Sequence, residues 1–594
     1  SSGSIIFGFS GHENNKKYYA RIVFFKLFCV HNKIIKNCLF LSKINLENMK
    51  YLSPLEMMYK WEEEKGNEVF LSQPINSIWH DWTWEEVMLE VRKMAAYIKS
   101  LNLEKKSKIA ILSKNCAHWI MSDLAIMMSG HISVPLYPNL SAKILNKILI
   151  HSETKMMFVG KLDDFEKMKS GIPSDVNCIT YPFYSQDYPK WNDLIRDVSP
   201  LQENVIRDDN ELATIIYTSG TTGDPKGVMH KFYNFSFATT NAVNALPLKD
   251  ESFFSYLPLS HIAERLLIEM GSIYCGGKVS FAESLDTFAQ NLSYSQPSVF
   301  LGVPRIWTKF QQGILSKIPQ KKLNILLSIP IISSLIKKKI QKGLGLSKAR
   351  NVFTGAAPTP AALIRWFESL GIIIQEAYAM TENTRYSHVS FREKIKIGSV
   401  GQALPLCDVK LSDQNEIMIK HDALMDGYYK DEEQTNDTIK DGWLYTGDEG
   451  EIDSEGFLKI TGRVKDIFKT SKGKYVAPSP IELKLSANKN IEQVCIVGTE
   501  IPQPIALVVL SDRGRKKTKE DLIFSLERTL EVVNPKLEKH EKIHNIIIVK
   551  EEWTIENNLL TPTMKIKRNA IEKIYRINYQ EWYDSSKRIV FSSK

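Results

Sequence analysis

The densest chemical signal in the sequence is the run Tyr217-Thr218-Ser219-Gly220-Thr221-Thr222-Gly223-Asp224-Pro225-Lys226-Gly227. Glycines let backbone N–H groups close around an anion, and the Ser and Thr hydroxyls add further donors. Lys226 contributes a mobile positive charge suited to phosphate oxygens. The spacing is not GxxxxGK[ST], so this is a different way of holding phosphate from a P-loop. Apolar Leu212–Ile216 reads as a strand, which puts the run at a strand's carboxyl end. A surface loop of similar composition is the competing reading, and the length of the pattern argues against it.

The run resembles the signature of the adenylate-forming superfamily, which includes acyl-CoA synthetases, luciferases and peptide-synthetase adenylation domains. Further motifs of that family follow in order: Gly355-Ala356-Ala357-Pro358, Tyr378-Ala379-Met380-Thr381-Glu382, Tyr445-Thr446-Gly447-Asp448, Gly462-Arg463-Val464-Lys465-Asp466 and Thr561-Pro562-Thr563-Met564-Lys565. The resemblance extends from about residue 70 to residue 570. It implies that Thr218, Ser219, Gly220, Thr221, Thr222, Gly223 and Lys226 hold phosphates. Gly355, Ala356 and Ala357 would line an adenine slot on which Tyr378 stacks. Thr381 and Glu382 would hold phosphates and a Mg²⁺ ion, with Thr218 a second candidate near the metal; a carboxylate is a suitable hard ligand. Asp448 would accept from the ribose hydroxyls, and Arg463 would contact ribose or phosphate nearby. One departure is Ala379, where the family usually carries Gly.

Lys565 matches the late lysine of the family, which reaches the acyl carboxylate and α-phosphate as negative charge builds on phosphorus. Lys567 and Arg568 are neighbouring basic residues that only the motif alignment ranks below it. Lys465 matches the hinge about which a small domain swings. The implied chemistry uses ATP, Mg²⁺ and CoA in two half-reactions. A carboxylate attacks the α-phosphorus of ATP to give acyl-AMP and pyrophosphate. The small domain then rotates, withdrawing Lys565 and bringing the Lys472–Pro478 loop in, and the CoA thiol takes the acyl group. No protein nucleophile is needed.

Leu257-Pro258-Leu259-Ser260-His261-Ile262-Ala263-Glu264-Arg265 and Gly302-Val303-Pro304-Arg305-Ile306-Trp307 look like motifs of long-chain acyl-CoA synthetases. The resemblance puts His261 near the acyl site; a helix-cap or core histidine is the alternative. The expected activity is that of a long-chain fatty acid–CoA ligase. Its rivals are a fatty acyl-AMP ligase serving a carrier protein, a ligase for aromatic or short acids, and a catalytically silent fatty-acid-binding protein.

These residues need elements to position them. From residue 80 to 300, apolar runs such as Lys108–Leu112 and Ile132–Tyr137 alternate with helical patterns, which implies a parallel α/β sheet covered on both faces. Ser113 is expected to cap the helix through Trp119, Leu124 and Met127. Between 397 and 462, turns at Asp426-Gly427, Asp441-Gly442 and Glu455-Gly456 suggest antiparallel hairpins in a small barrel. Ser479-Pro480-Ile481-Glu482 reads as a capping box opening a helix. The expected fold is multidomain α/β. It comprises a large domain over 49–462 of two α/β subdomains plus a β-barrel-like part, a hinge at 463–466, and a small mobile α+β domain over 467–594.

With 43% hydrophobic and 24% charged residues, the 594-residue chain has a globular composition and is too long for one core. Of the net charge of +9, residues 1–48 carry seven Lys or Arg against two Asp or Glu, so the rest is nearly balanced and nucleic acid is not an expected partner. Residues 1–48 read as a disordered or non-native extension before Met49, or alternatively as a basic interfacial anchor. Seven scattered cysteines fit a reducing cytoplasm and packing roles. No apolar run reaches the ~18 residues of a membrane span. The basic, apolar segment Lys321–Lys342 reads equally as an amphipathic helix packed on the large domain or as a peripheral membrane contact. The oligomeric state, monomer or homodimer, is open.

Overall fold

The computed structural model describes residues 51–184, 187–219, 225–555, 557–561 and 564–592. Residues 1–48 and the loop residues Gly220, Thr221, Thr222 and Gly223 lie outside them.

Two sheets form the large part of the molecule. One has seven strands, ordered from its edge as Gly427–Tyr428, Pro225–Lys231, Leu212–Ser219, Ile132–Leu136, Lys108–Leu112, Thr154–Val159 and Asn177–Thr180. Its inner strands are parallel and buried on both faces, so they read as unbroken apolar runs. The second sheet has nine strands. Val299–Gly302, Asn351–Thr354 and Gln375–Tyr378 run parallel side by side within it, with Ser252–Ser255 and Lys278–Phe281 beyond.

Helix Ala117–Ser129 is buried on every side and contacts strands of both sheets. A helix that is apolar all round belongs in such a position. Its N-cap is Cys116, not the expected Ser113, and the cap comes from another element, Gln73 Oε1 accepting from Ala117 N at 2.7 Å. Ser113 is occupied elsewhere, accepting from Lys161 N at 2.9 Å and donating to Lys114 O at 2.6 Å.

A curled antiparallel sheet follows, made of Asp408–Leu411, Glu416–Lys420, Ile439–Lys440, Trp443–Ile452 and Leu458–Arg463. Asp441 (φ 53°) and Gly442 (φ 74°) make the two-residue turn between paired strands, as a hairpin's twist requires. Asp426-Gly427 does not do this. It leads into Gly427–Tyr428, which pairs with Pro225–Lys231 at the edge of the seven-stranded sheet. That contact brings the Tyr428 ring near Lys226.

The small C-terminal domain has a four-stranded sheet of Ile491–Val497, Ile505–Leu510, Ile546–Ile548 and Ile589–Phe591. Alternation along the first strand divides two cores. Val494 and Ile496 pack with Leu522, Leu526 and Leu530, while Cys495 and Val497 pack with Ile571 and Tyr575. Helix Pro478–Leu485 begins earlier than the Ser479 capping box implies, with N-cap Ala477. Glu482 is drawn away to accept from Ile496 N at 2.7 Å and Arg568 Nη2 at 2.6 Å.

Candidate active site

Gly355 follows strand Asn351–Thr354 and Tyr378 ends its neighbour Gln375–Tyr378, so both lie at adjacent carboxyl ends, where open α/β sheets bind ligands. A Cβ on Gly355 would meet Ala377 O at 2.9 Å and Arg385 Nη2 at 3.2 Å, so only glycine fits there. Gly355 is buried, whereas Ala356 and Ala357 are exposed, with Ala356 in the left-handed region at φ 66°. Ala379 does not adopt a positive φ, so its replacement of the usual glycine carries no left-handed strain.

Asp448 is held from two sides. Tyr378 Oη donates to Oδ2 at 2.8 Å and Arg463 Nε donates to Oδ1 at 3.0 Å. The second contact follows from register, because Asp448 and Arg463 sit directly opposite on paired strands. Gly447 supplies the positive φ (72°) that turns Asp448 into place. Tyr378 is half-buried.

Thr218 and Lys226 are cross-strand partners in the hairpin that carries the phosphate-type run, and Ser219 ends the first strand. Lys226 Nζ donates to Gln434 Oε1 at 2.5 Å and lies 5.3 Å from the Tyr428 ring. Burial, and then the charge of Lys465, hold it below the usual lysine range. Tyr428 Oη donates to Glu382 Oε1 at 2.9 Å. Thr381 is buried, and the loop beyond it is fixed by Met425 N donating to Glu382 O at 2.8 Å. Glu382 Oε2 is without a hydrogen-bond partner among the described residues. No group of three or more His, Cys, Asp or Glu gathers among those residues. Mg²⁺ is commonly held by one or two carboxylates together with phosphate oxygens and water, so a single accessible carboxylate such as Glu382 fits it.

His261 caps a short helix, its Nδ1 accepting from Ala263 N at 3.1 Å. Burial, Lys565 and Arg385 depress its pKa to about 3, so the ring is neutral. The helical run that follows is pinned by two residues that sequence reasoning passed over. Glu264 accepts from Ser255 Oγ at 3.0 Å and Tyr256 N at 2.8 Å. Arg265 donates to Asp123 Oδ2 at 2.5 Å and Thr214 Oγ1 at 2.7 Å, tying the helix to the strand that carries Thr218. Both are fully buried, and the Arg265 charge is held there by its pairing with Asp123.

Lys565 sits in a tight turn in which Thr561 N donates to Lys565 O (2.8 Å) and Lys565 N to Thr561 Oγ1 (3.0 Å). Its side chain is exposed to solvent. Burial first, then Arg463, lowers its pKa, with Arg385 adding to this and Asp448 and Glu382 opposing. The two neighbouring basic residues are engaged within the small domain. Lys567 Nζ donates to Asn558 Oδ1 at 2.5 Å, while Arg568 binds Glu482 and lies 3.9 Å from Asp466. Lys465 occupies a single 3₁₀ turn, Val464–Asp466, directly after Arg463.

Arg385 was missed by sequence reasoning altogether. It adopts φ 58° and is half-buried, and its guanidinium has no carboxylate partner among the described residues. Burial lowers its pKa to about 10. Only its place three residues after Glu382 could have drawn notice. Lys226, Lys465, Lys565, Arg463 and Arg385 thus share an electrostatic neighbourhood with four carboxylates, Glu382, Asp431, Asp448 and Asp466, leaving a positive balance that suits an anion.

Residues 59–429 match the AMP-binding enzyme family and residues 465–587 match the AMP-binding enzyme C-terminal domain. The chain is 26% identical to the long-chain-fatty-acid–CoA ligase FadD15 of Mycobacterium bovis, covering 89% of this chain and 96% of that protein. It is 29% identical to the long-chain-fatty-acid–CoA ligase 5 of Rattus norvegicus, over 84% of each. Among solved structures, the anthranilate CoA ligase AuaEII in complex with anthranoyl-AMP aligns at a TM-score of 0.74, with 20% identity over 90% of this chain and 99% of that one. The adenylation domain of the carboxylate reductase GR01_22995 from Mycobacterium chelonae aligns at 0.75, with 21% identity over 91% and 92%. With its signature run, its paired sheets and both family matches in register, the chain belongs to the adenylate-forming AMP-binding enzymes.

Proposed function

We propose that the protein activates a long-chain fatty acid with ATP, forming acyl-AMP and pyrophosphate, and transfers the acyl group to the CoA thiol with release of AMP. The observation that supports the adenylation step is the electrostatic field at Lys565, a residue of the small domain, which feels Asp448, Glu382 and Arg385 of the large one and Arg463 at the boundary between them. The long-chain and CoA parts draw on the names of relatives at 26–29% identity.

In this reading Tyr378 and Gly355–Ala357 bracket the adenine, and Asp448, oriented by Tyr378 and Arg463, accepts from the ribose hydroxyls. Lys226 and the Thr218–Gly223 segment hold the β- and γ-phosphates. Mg²⁺, when bound at Glu382 with Thr218 nearby, would neutralise phosphate charge. Lys565 and Arg385 meet the acyl carboxylate and α-phosphate, where charge rises in the transition state. Neutral His261 borders the acyl group and helps keep water out. After pyrophosphate leaves, the small domain turns about Lys465 and withdraws Lys565, so that CoA can reach the acyl carbonyl. No side chain forms a bond to the acyl group.

The test measures pyrophosphate release and thioester formation together, over acids of graded length, with and without CoA. Thioester formation that requires CoA and peaks with long chains is the expected result. Pyrophosphate without thioester would point to an acyl-AMP ligase. Silence in both would leave a fatty-acid-binding protein.

A further inference from the structure

The stretch from Pro304 to Arg350 contains eleven Lys and Arg and no Asp or Glu. This exceeds the net charge of the whole chain, +9. Arg305 pairs with Glu492 and Arg350 with Glu251, but the nine lysines between them have no carboxylate partner among the described residues. Eight of the nine are exposed, Lys337 being half-buried.

Apolar side chains lie among these charges. Helices Gln320–Ser328 and Pro330–Gly343 pack on one another across the junction Ile329-Pro330. Their inner faces bury Leu323 and Ile340 against Ile314 and Leu370. Their junction does the opposite: Ile325 (63% exposed), Ile331 (79%) and Leu335 (64%), with Ile329 and Ile332, face solvent. Lys321 and Lys322 stand about one turn back from Ile325 on one helix, and Lys338 and Lys339 about two turns from Ile331 on the other. An apolar tip with a cationic collar ~5–10 Å behind it matches the depth between acyl chains and phosphate groups.

We infer that this helical hairpin docks on the surface of an anionic lipid bilayer, with Ile325, Ile331 and Leu335 entering the acyl boundary and the lysines meeting headgroup phosphates. No helix among the described residues is long and apolar enough to cross a membrane, so the contact is interfacial. Nucleic acid fits the charge but not a tip of aliphatic side chains, since single strands are held by aromatic stacking and duplexes by polar contacts. Residues 1–48 are themselves basic and do not complement the collar. The inference is independent of which acid the active site takes.

The experiment is flotation of the full chain with vesicles of phosphatidylcholine alone or mixed with phosphatidylglycerol, with no substrate present. Binding to the mixed vesicles, falling as salt rises, is expected. With each lysine near the surface worth about fivefold in partitioning, K337Q/K338Q/K339Q should lose about a hundredfold. I331D/L335D should lose binding at every salt concentration while the melting temperature stays unchanged. If the aspartate pair disturbs folding, the lysine set and the salt series of the unmodified chain decide alone. Failure to float, equal binding to both vesicle types, or loss-free binding by K337Q/K338Q/K339Q overturns the inference. So does preference for a DNA duplex, or self-association that I331D/L335D abolishes.

Discussion

Lys565→Ala separates the two half-reactions, and the structure sets the size of the effect. Four other cations, Lys226, Lys465, Arg463 and Arg385, stay in the cleft, so nucleotide binding should weaken only a few-fold. What is lost is a charge aimed at the reacting carboxylate and phosphorus. Removing one such positioned donor typically costs about 3–4 kcal/mol, or 10²–10³ in rate. Fatty-acid-dependent pyrophosphate release should therefore fall by about that factor. Thioester formation from chemically prepared acyl-AMP and CoA should stay within about threefold, because the proposed cycle withdraws Lys565 before that step. Lys567→Ala is the control: its ammonium is bound to Asn558, away from Asp448 and Glu382. Equal loss in both half-reactions, or a larger loss in the Lys567 variant, would refute the assignment.

Arg385→Ala should lower kcat/KM for the acid about 10–100-fold, the usual cost of losing a charged hydrogen bond, with Arg385→Lys intermediate; steady-state kinetics would show it. Asp448→Asn should raise the KM for ATP about tenfold with a smaller change in kcat, as expected for a residue that holds the ribose in ground and transition states alike. Burial pushes Glu264 up to about 8, so the folded protein retains a proton that the unfolded chain loses near the ordinary carboxyl value. Stability from this group therefore falls as pH rises between those values and levels off above about 8. Thermal melts should show Glu264→Gln flattening that decline, and an unchanged slope would mean that the carboxyl is already ionised.

Much of the fold was legible because its signals are local. Unbroken apolar runs announce parallel buried strands, and Asp441-Gly442 announces a two-residue hairpin. The caps were misread because Ser113 and Glu482 found partners beyond their own helices, at Lys161 and at Ile496 and Arg568. The motifs named the candidate site residues, but not their nearest contacts in the fold. Gln434 meets Lys226 across 208 positions, and Arg385 reaches Gly355 through a positive φ that no periodicity encodes. Glu264 and Arg265 lay within a noticed motif, yet their work is mechanical, holding one helix to the strand behind it.

The proposed hinge is short because it is clamped at both ends. Before it, Arg463 is locked to Asp448. After it, Asp466 faces Arg568, which also grips Glu482. Only Val464 and Lys465 are left to turn, so in the proposed cycle the small domain would act as a stiff lever on a two-residue pivot. Lys565 rides about a hundred residues beyond that pivot on the same rigid arm, so it cannot leave the site alone. In the proposed cycle, whatever swings it out must carry every other surface of the small domain through the same angle, which would make adenylation and acyl transfer mutually exclusive positions of one moving part.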